Sequence, residues 1–167
     1  YMNLPKKGIT NYITSKIVKL LTTSANRPRT IVLLVQKEVA ERMAAKAGDM
    51  SILAVSAQVF AKVHLGDIVP AALFTPPPKV DSQVVILEMY AEPKVTAKDE
   101  KALFRVVKAG FSAKRKKLRS SLSSGLHISK PEVEELLKSV QLNPDDRAEQ
   151  LTVDDWLRLT AVVDRVE

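Results

Sequence analysis

The hydrophobic pattern of the chain changes at residues 91–97, and this change limits the possible folds more than any other feature. Before it, apolar runs rich in β-branched residues alternate with stretches of helical spacing. After it, the apolar stripes repeat at helical spacing, as in amphipathic helices. The segment contains Pro93 and is the best candidate for a linker. The pattern therefore predicts two domains, an α/β segment at 1–92 and an all-α segment at 97–167.

The predicted elements follow from apolar spacing and turn residues. In the first segment we expect helices at 13–21, 37–46 and 51–60, and strands at 30–35, 60–65 and 82–90. The run 30–35 is almost continuously apolar, which is typical of a buried strand in a parallel sheet. In the second segment we expect helices at 102–111, at 118–126, after Pro131, and after the capping-box pattern at 152–155. Trp156, in the last of these helices, is expected in the core.

Positive charge is concentrated in one window of the chain. Nine Lys and Arg residues and only two acidic residues lie between 98 and 119, so this window accounts for the whole formal net charge of +7. A basic excess this local is typical of a surface that binds a polyanion, most often nucleic acid. The alternative is a solvated helix face without a partner.

Composition removes several functional classes. Cysteine is absent, which excludes disulfides, thiolate zinc sites and cysteine nucleophiles. The first residues lack the basic-then-apolar layout of a signal peptide, and no apolar stretch approaches the roughly 20 residues of a membrane-spanning helix. We therefore expect a cytoplasmic protein without a membrane partner. His64 and His127 stand apart in the sequence, and we expect structural or surface roles for them rather than a metal site.

The most unusual string is Phe74-Thr-Pro-Pro-Pro-Lys-Val-Asp-Ser82, which directly precedes a predicted strand. Three consecutive prolines fix φ and lack N–H donors, so this loop is stiff, extended and unable to join a sheet. A stiff loop that carries Phe74 and Lys79 suits a planar ring and a phosphate. The alternative is a rigid connector whose Phe74 packs into the core.

Four strings together resemble one known family, the ribosomal RNA adenine dimethyltransferases. They are the proline-rich string 74–82, Gln36-Lys-Glu-Val-Ala-Glu-Arg42, Phe111-Ser-Ala-Lys-Arg-Lys-Lys-Leu-Arg-Ser-Ser-Leu122, and Arg147-Ala-Glu-Gln-Leu151. The strings occur in the family's order, and the resemblance covers nearly all of residues 12–165.

The resemblance implies a fold, an activity and a partner. The fold is α/β, the C-terminal part of a Rossmann-like class I methyltransferase domain at 1–92, followed by a small all-α RNA-binding domain at 97–167. The family uses S-adenosylmethionine to dimethylate N6 of adjacent adenosines in small-subunit rRNA, so rRNA or the immature small ribosomal subunit is the implied partner. The implied RNA-binding residues are Lys79, Lys114, Arg115, Lys116, Lys117 and Arg119.

The family's catalytic motif is Asn-Leu/Ile-Pro-Tyr/Phe, in which the Asn side chain and the Pro carbonyl accept hydrogen bonds from N6 and aromatic rings stack on the base. By this resemblance the candidate catalytic residues are Asn3, Pro5, Tyr12 and Phe74, and Asn3 is also a candidate cofactor contact. Residues 6–11 separate Pro5 from Tyr12, where typical members have a single aromatic residue. Asn3-Leu4-Pro5 is therefore either the motif with an insertion or a coincidence.

The family's glycine-rich cofactor loop has no counterpart in this sequence. Only five glycines occur, none of them in a G-x-G pattern. Without that loop a Rossmann-like sheet lacks its central strands, and the cofactor lacks most of its pocket. We therefore expect a C-terminal portion that is inactive alone and whose truncated sheet favours self-association. The second hypothesis is a non-catalytic RNA-binding or ribosome-assembly module, which the basic window supports equally.

Overall fold

The computed structural model describes residues 28–96, 98–113 and 115–163. Strands and short helices come first: β1 (Thr30–Gln36), α1 (Lys37–Met43), α2 (Ile52–Gln58), β2 (Ala61–Val69) and β3 (Ser82–Met89). Four helices follow: α3 (Glu100–Gly110), α4 (Leu118–Leu126), α5 (Lys130–Ser139) and α6 (Val153–Val163). Short 3-10 turns occupy Ala71–Leu73 and Ala148–Gln150. The mixed α/β architecture is confirmed, as is the type of each element predicted between 30 and 163; the helix predicted at 13–21 lies outside the described residues.

The three strands form one sheet in the order β1-β3-β2. β1 pairs antiparallel with β3, from Thr30 opposite Glu88 to Gln36 opposite Ser82, and β2 pairs antiparallel with the other side of β3. The expectation of a parallel sheet around residues 30–35 is therefore wrong for the described strands. An apolar run reports on burial but carries no information on the direction of the neighbouring strand, and here that neighbour is a later strand that runs back along β1.

Side chains of the sheet alternate between a covered and an open face. Ile31, Val85 and Leu87 pack in one buried cluster with residues of α1 and α2. Val32 and Leu34 point to the opposite face and keep 63% and 52% of their surface exposed. Among the described residues β1 is thus buried on one face only, which corrects the expectation of a fully buried strand.

Tertiary hydrogen bonds hold both ends of the short helix α1. Its N-cap residue Gln36 makes no side-chain cap, but the Lys37 backbone N–H donates to the Asp81 carbonyl at 3.0 Å. At the other end, Gln58 Nε2 donates to the carbonyls of Met43 at 2.9 Å and Ala45 at 2.8 Å. The bonds at Lys37 and Met43 satisfy backbone groups that a helix leaves unpaired at its ends, and the bond to Ala45 fixes the chain just beyond the helix.

The helices α3 to α6 build a second core around Trp156, which is fully buried, as predicted from the sequence. The Phe111 ring lies 5.5 Å from the Trp156 ring, measured between centroids. Two glycines permit close approach here: a Cβ on Gly125 would lie 2.6 Å from Ala109 Cα, and a Cβ on Gly110 would overlap the Trp156 ring. The core is therefore packed tightly enough that single added methyl groups do not fit.

Capping boxes start the last two long helices. Before α5, the Ser129 N–H donates to Glu132 Oε2 at 2.9 Å, and the Glu132 N–H donates to Ser129 Oγ at 3.4 Å. The Ser129 hydroxyl and backbone N–H together hold the pKa of Glu132 below its usual value. Before α6, the Thr152 N–H donates to Asp155 Oδ2 at 2.8 Å, and the Asp155 N–H donates to Thr152 Oγ1 at 3.2 Å. The capping box predicted at 152–155 is confirmed.

The described residues divide into two compact units. Residues 28–45 and 53–94 form the sheet unit, and residues 46–52 join the described residues from 95 to 163 in the helical unit. The segment 46–52 belongs with the helices because the N–H groups of Gly48 and Met50 both donate to the Glu149 carbonyl, at 2.8 and 3.1 Å. In the parts of the chain that the structure describes, no helix has the length and apolarity needed to span a bilayer.

Candidate functional site

The proline-rich string forms the loop that joins β2 to β3. Gln36 and Val69 are both paired with Ser82, so the loop lies where β1 and β2 end and β3 begins. At its base the Ala71 N–H donates to Asp81 Oδ1 at 2.9 Å, while the Asp81 carbonyl accepts from the first residue of α1. Asp81 therefore closes the loop and fastens it to the sheet unit.

Phe74 is half-buried and extended, directly after the 3-10 turn. It is not one of the buried core residues of the sheet unit, so a connector with Phe74 fully packed in the core does not describe this loop. Its neighbour Leu73 is 74% exposed, and Val80 and Lys79 are exposed as well. Sequence analysis did not single out the exposed side chains of Leu73 and Val80. The sequence signal for their exposure was their position in a loop bounded by prolines, because such a loop cannot join a strand and bury them.

Several predicted site residues lie outside the described residues. Asn3, Pro5 and Tyr12 precede residue 28, and Lys114 falls in a gap of the description. Of the predicted catalytic residues, only Phe74 is therefore located, with the predicted RNA contact Lys79 in the same loop. The assignment of Asn3, Pro5 and Tyr12 stays a prediction.

The remaining predicted RNA contacts lie in the turn between α3 and α4, except Arg119, which is the second residue of α4. Arg115 and Lys116 are exposed, and the Lys116 N–H donates to the Ala113 carbonyl at 2.8 Å, which shapes the turn. Both side chains therefore extend from a hydrogen-bonded turn into solvent, which is the arrangement expected of residues that contact phosphates.

Lys117 and Arg119 differ from their neighbours because they form ion pairs within the helical unit. Asp145 Oδ1 lies 3.1 Å from Lys117 Nζ and 3.2 Å from Arg119, and Arg119 also lies 3.3 Å from Glu134 Oε1. The hydrogen bond from Lys117 is the main cause that holds the pKa of Asp145 below its usual value, and the charge of Arg119 adds to it. We call these four residues the Asp145 network.

The loop that carries Asp145 also caps the start of α4. The Leu118 N–H donates to the Asp146 carbonyl at 2.8 Å, and the Arg119 N–H donates to the Pro144 carbonyl at 3.3 Å. No side chain caps this helix. Because these N–H groups are already satisfied by carbonyls, the start of α4 is not open to an anion in the way that helix N-termini often are.

The described glycines do not form a cradle for an adenosyl cofactor. Gly66 lies within β2, with Val84 3.0 Å from its ideal Cβ position, and Gly110 and Gly125 lie within helices. Gly48 has a positive φ of 107° and lies in the loop after α1. None of these four opens a helix directly after a strand, where a phosphate- or nucleotide-binding turn requires glycine. The described residues therefore do not fit S-adenosylmethionine by themselves.

His64, one of the two histidines for which structural or surface roles were expected, lies on the sheet. His64 Nε2 is 3.1 Å from Glu88 Oε2, and both side chains are exposed. Across residues 28–163, apart from the two undescribed positions, no three His, Asp or Glu side chains gather as a metal site would require.

Comparison with known proteins identifies the family. The family model for "Ribosomal RNA adenine dimethylase" matches residues 7–165. The chain belongs to this family, which confirms the resemblance inferred from the four strings.

Named relatives and solved structures agree with this assignment. The "Ribosomal RNA small subunit methyltransferase A" of Trichormus variabilis is 43% identical over 165 residues, and that of Dehalococcoides mccartyi is 36% identical over 160 residues. A dimethyladenosine transferase structure from Plasmodium falciparum matches 98% of this chain with a TM-score of 0.76 and 26% identity. The 23S rRNA methyltransferase ErmE matches 91% of the chain with a TM-score of 0.64 and 25% identity.

Each match covers nearly all of this chain but a much smaller share of the matched protein. The alignments include 94% and 93% of this chain but only 55% and 60% of the Dehalococcoides and Trichormus relatives. The chain likewise covers 65% of the Plasmodium structure and 61% of the ErmE structure. The chain thus spans little more than half the length of the relatives it matches.

Proposed function

We propose that this chain supplies the target-base and RNA-binding parts of an enzyme that dimethylates adenine N6 in small-subunit rRNA, with S-adenosylmethionine as the methyl donor. The observation that carries the proposal is the family match across residues 7–165. The position of the proline-rich loop supports it, because ligands of open α/β sheets bind outside the carboxyl ends of strands, and this loop lies where β1 ends. The sheet unit is proposed as the C-terminal part of a Rossmann-like methyltransferase domain.

The chemistry of the base explains the proposed roles. The N6 lone pair is delocalised into the purine, so hydrogen-bond acceptors must orient the amine of an unstacked base. Asn3 and Pro5 are proposed as these acceptors, and Tyr12 and Phe74 as the stacking rings. Phe74 suits this role because it is half-buried in a stiff loop whose neighbouring apolar residues are exposed. Stacking of a base on an aromatic ring contributes about 1–3 kcal/mol.

RNA binding is proposed for the basic residues of the proline-rich loop and of the α3–α4 turn. Lys79, Arg115 and Lys116 are exposed, and Lys114 lies in the same string. Lys117 and Arg119 belong to the set by resemblance, but a phosphate has to displace Asp145 or Glu134 from them. We therefore expect the exposed residues to contribute more than the two paired ones.

The 167-residue chain is proposed to be inactive by itself. The absence of any G-x-G pattern in the sequence supports this, as does the location of the described glycines within β2, helices and one loop. The same observation favours the second candidate function, a non-catalytic RNA-binding or ribosome-assembly module. The two candidates agree on RNA binding and differ in methyl transfer.

The deciding experiment measures cofactor binding and methyl transfer together. Calorimetric titration of the 167-residue chain with S-adenosylmethionine should give no micromolar binding, whereas the full product of its reading frame should label unmethylated small subunits with methyl groups. In that full product, Phe74→Ala should lower methylation strongly with an unchanged melting temperature. Absence of methyl transfer by the full product, with RNA binding intact, would establish the second candidate instead. Micromolar cofactor binding by the 167-residue chain would contradict its proposed inactivity.

A further inference from the structure

Three exposed basic residues line one side of α3. Lys101, Arg105 and Lys108 are exposed and stand at i, i+4 and i+7. At about 100° per residue they fall within a stripe about 60° wide. The stripe lies opposite Leu103, Val106 and Val107, which α3 buries in the core of the helical unit. At about 1.5 Å of rise per residue it is about 10 Å long, a length that spans about three phosphates of one nucleic-acid strand.

The stripe places like charges at the spacings at which helix side chains interact. Lys101 and Arg105 stand four residues apart, and Arg105 and Lys108 three; each such like-charge pair destabilises a helix by about 0.2–0.5 kcal/mol. No acidic residue stands three or four positions from Lys101 or Lys108.

Other helices of the chain use these spacings for opposite charges. In α1, Lys37 Nζ lies 3.9 Å from Glu41 Oε1, and in α6, Arg158 lies 2.5 Å from Asp155 Oδ1. The arrangement on α3 therefore departs from the pairing seen elsewhere in the described residues. A surface that concentrates one sign of charge attracts a polyanion, which offsets the repulsion when it binds.

The described surface of the helical unit favours RNA over an acidic membrane. A membrane-bound amphipathic helix inserts an exposed apolar face into the lipid. On α3 the apolar face is buried, with Leu103, Val106 and Val107 at 0% exposure, and among the described residues from 95 to 163 no large hydrophobic side chain is exposed. Charge without accessible apolar surface suits a phosphate backbone.

We infer that the α3 stripe, formed by Lys101, Arg105 and Lys108, is a second phosphate-contacting surface for RNA, in addition to the turn that carries Arg115 and Lys116. This inference rests on the RNA binding proposed above and goes beyond the residues that the family resemblance supplies. Lys101 and Lys108 form no ion pair with any residue that the structure describes, whereas Lys117 and Arg119 are paired within the Asp145 network. At these two lysines RNA therefore encounters positive charge that no ion pair of the described residues offsets.

The test is the salt dependence of RNA binding by the 167-residue chain. Fluorescence anisotropy with a labelled RNA hairpin, over a series of KCl concentrations, compares the wild type with the double variant Lys101→Gln, Lys108→Gln. Each lost phosphate contact should lower the slope of log K against log salt by roughly 0.7–0.9. The matched control is Lys130→Gln, Lys138→Gln, which removes two exposed lysines from α5. The charge-preserving variant Lys101→Arg, Lys108→Arg should keep the wild-type slope.

The outcomes separate this inference from the proposed function. If the wild type binds with a salt-dependent slope and the α3 double variant retains that slope, the inference is wrong while RNA binding stands. If the wild type shows no salt-dependent binding, both are overturned. Equal losses in the α3 and α5 variants would show a general charge effect and overturn the inference. Vesicles containing phosphatidylserine serve as the competing partner, and loss of vesicle binding with unchanged RNA binding in the α3 variant would assign the stripe to membranes.

Discussion

The two units of the molecule leave different surfaces uncovered. In the sheet unit, apolar side chains of β1 and β2 remain exposed on the described surface, among them Val32, Leu34 and Leu65. In the helical unit, apart from Ile52, the described large hydrophobic residues are at least partly buried, and the exposed side chains of α3 and the following turn are mainly basic. An exposed apolar face and an exposed basic face call for different partners.

The contrast has a structural cause. Among the described elements α1 and α2 pack on one face of the sheet only, so apolar side chains on the other face stay exposed. The four helices of the other unit each turn an apolar stripe toward a shared interior that contains Trp156. The sheet unit therefore leaves apolar surface exposed, whereas the helical unit buries its apolar stripes and exposes mainly charged side chains on α3 and the following turn.

The largest expected effect tests whether the helical unit is a self-contained core. Trp156→Ala removes its central buried side chain, and such truncations destabilise by about 3–5 kcal/mol. Urea unfolding followed by circular dichroism should show this loss. Trp156→Phe should be milder, because Trp156 Nε1 has no hydrogen-bond partner among the described residues and so no bond is broken. A near-neutral Trp156→Ala would mean that this core is not what stabilises the unit.

The next effect concerns the close approach of α3 and α4. Gly125→Ala would ordinarily stabilise a helix, but here the new Cβ meets Ala109 Cα at 2.6 Å. Overpacking of this kind costs about 1–3 kcal/mol, which exceeds the gain of about 0.5–1 kcal/mol from helix propensity. Urea unfolding followed by tryptophan fluorescence measures this loss of stability. The signal comes from the helical unit, because Trp156 is the single tryptophan of the chain.

The neighbouring exposed position provides the control for that substitution. Ser124→Ala, on the same helix, should be neutral or slightly stabilising, since Ser124 is exposed and alanine favours helices. Stabilisation by Gly125→Ala equal to that by Ser124→Ala would contradict the close packing.

A third prediction tests the open face of the sheet. Val32→Thr with Leu34→Thr keeps residues that favour strands but removes apolar surface, so self-association should require about tenfold more protein, equivalent to about 1.4 kcal/mol. Light scattering over a concentration series measures this. The control is Leu73→Thr, which removes an even more exposed leucine from the loop outside the strands and should leave association unchanged. A wild type that stays monomeric at all concentrations would refute self-association of the sheet.

Local signals explain what the sequence could predict. Apolar spacing and caps located β1, β3 and the helices, because these features depend on residues a few positions apart. The antiparallel direction of β1 against β3 was not predictable in this way, since their paired residues lie up to 58 positions apart, as in Thr30 with Glu88. The attachment of residues 46–52 to the helical unit, through Glu149, has the same long-range origin.

The candidate site shows the same division. The family strings located the proline-rich loop and the basic turn directly. The sequence did not distinguish Lys117 and Arg119 from Arg115 and Lys116, because their partner Asp145 lies in a loop between later helices. Adjacent basic residues therefore have different electrostatic surroundings that only the fold reveals.

The smallest expected effect is a shift in the pKa of Asp145, which tests whether Lys117 and Arg119 are paired with this carboxylate in the folded helical unit. Hydrogen bonding from Lys117 lowers the folded-state pKa of Asp145 from 3.8, so the associated stability is present above that value and is lost as pH falls through the folded-state pKa. A carboxyl NMR titration should show Asp145 below its ordinary pKa. Lys117→Gln should raise this pKa more than Arg119→Gln does, because the Lys117 hydrogen bond is the largest cause.

High salt should reduce the contribution of Arg119 to the lowered pKa of Asp145, since the side chains of Arg119 and Asp145 are both partly exposed. An unshifted Asp145 pKa in the wild type would mean that Lys117 and Arg119 are as available to RNA as Arg115 and Lys116, and the contrast between paired and free basic residues would fail.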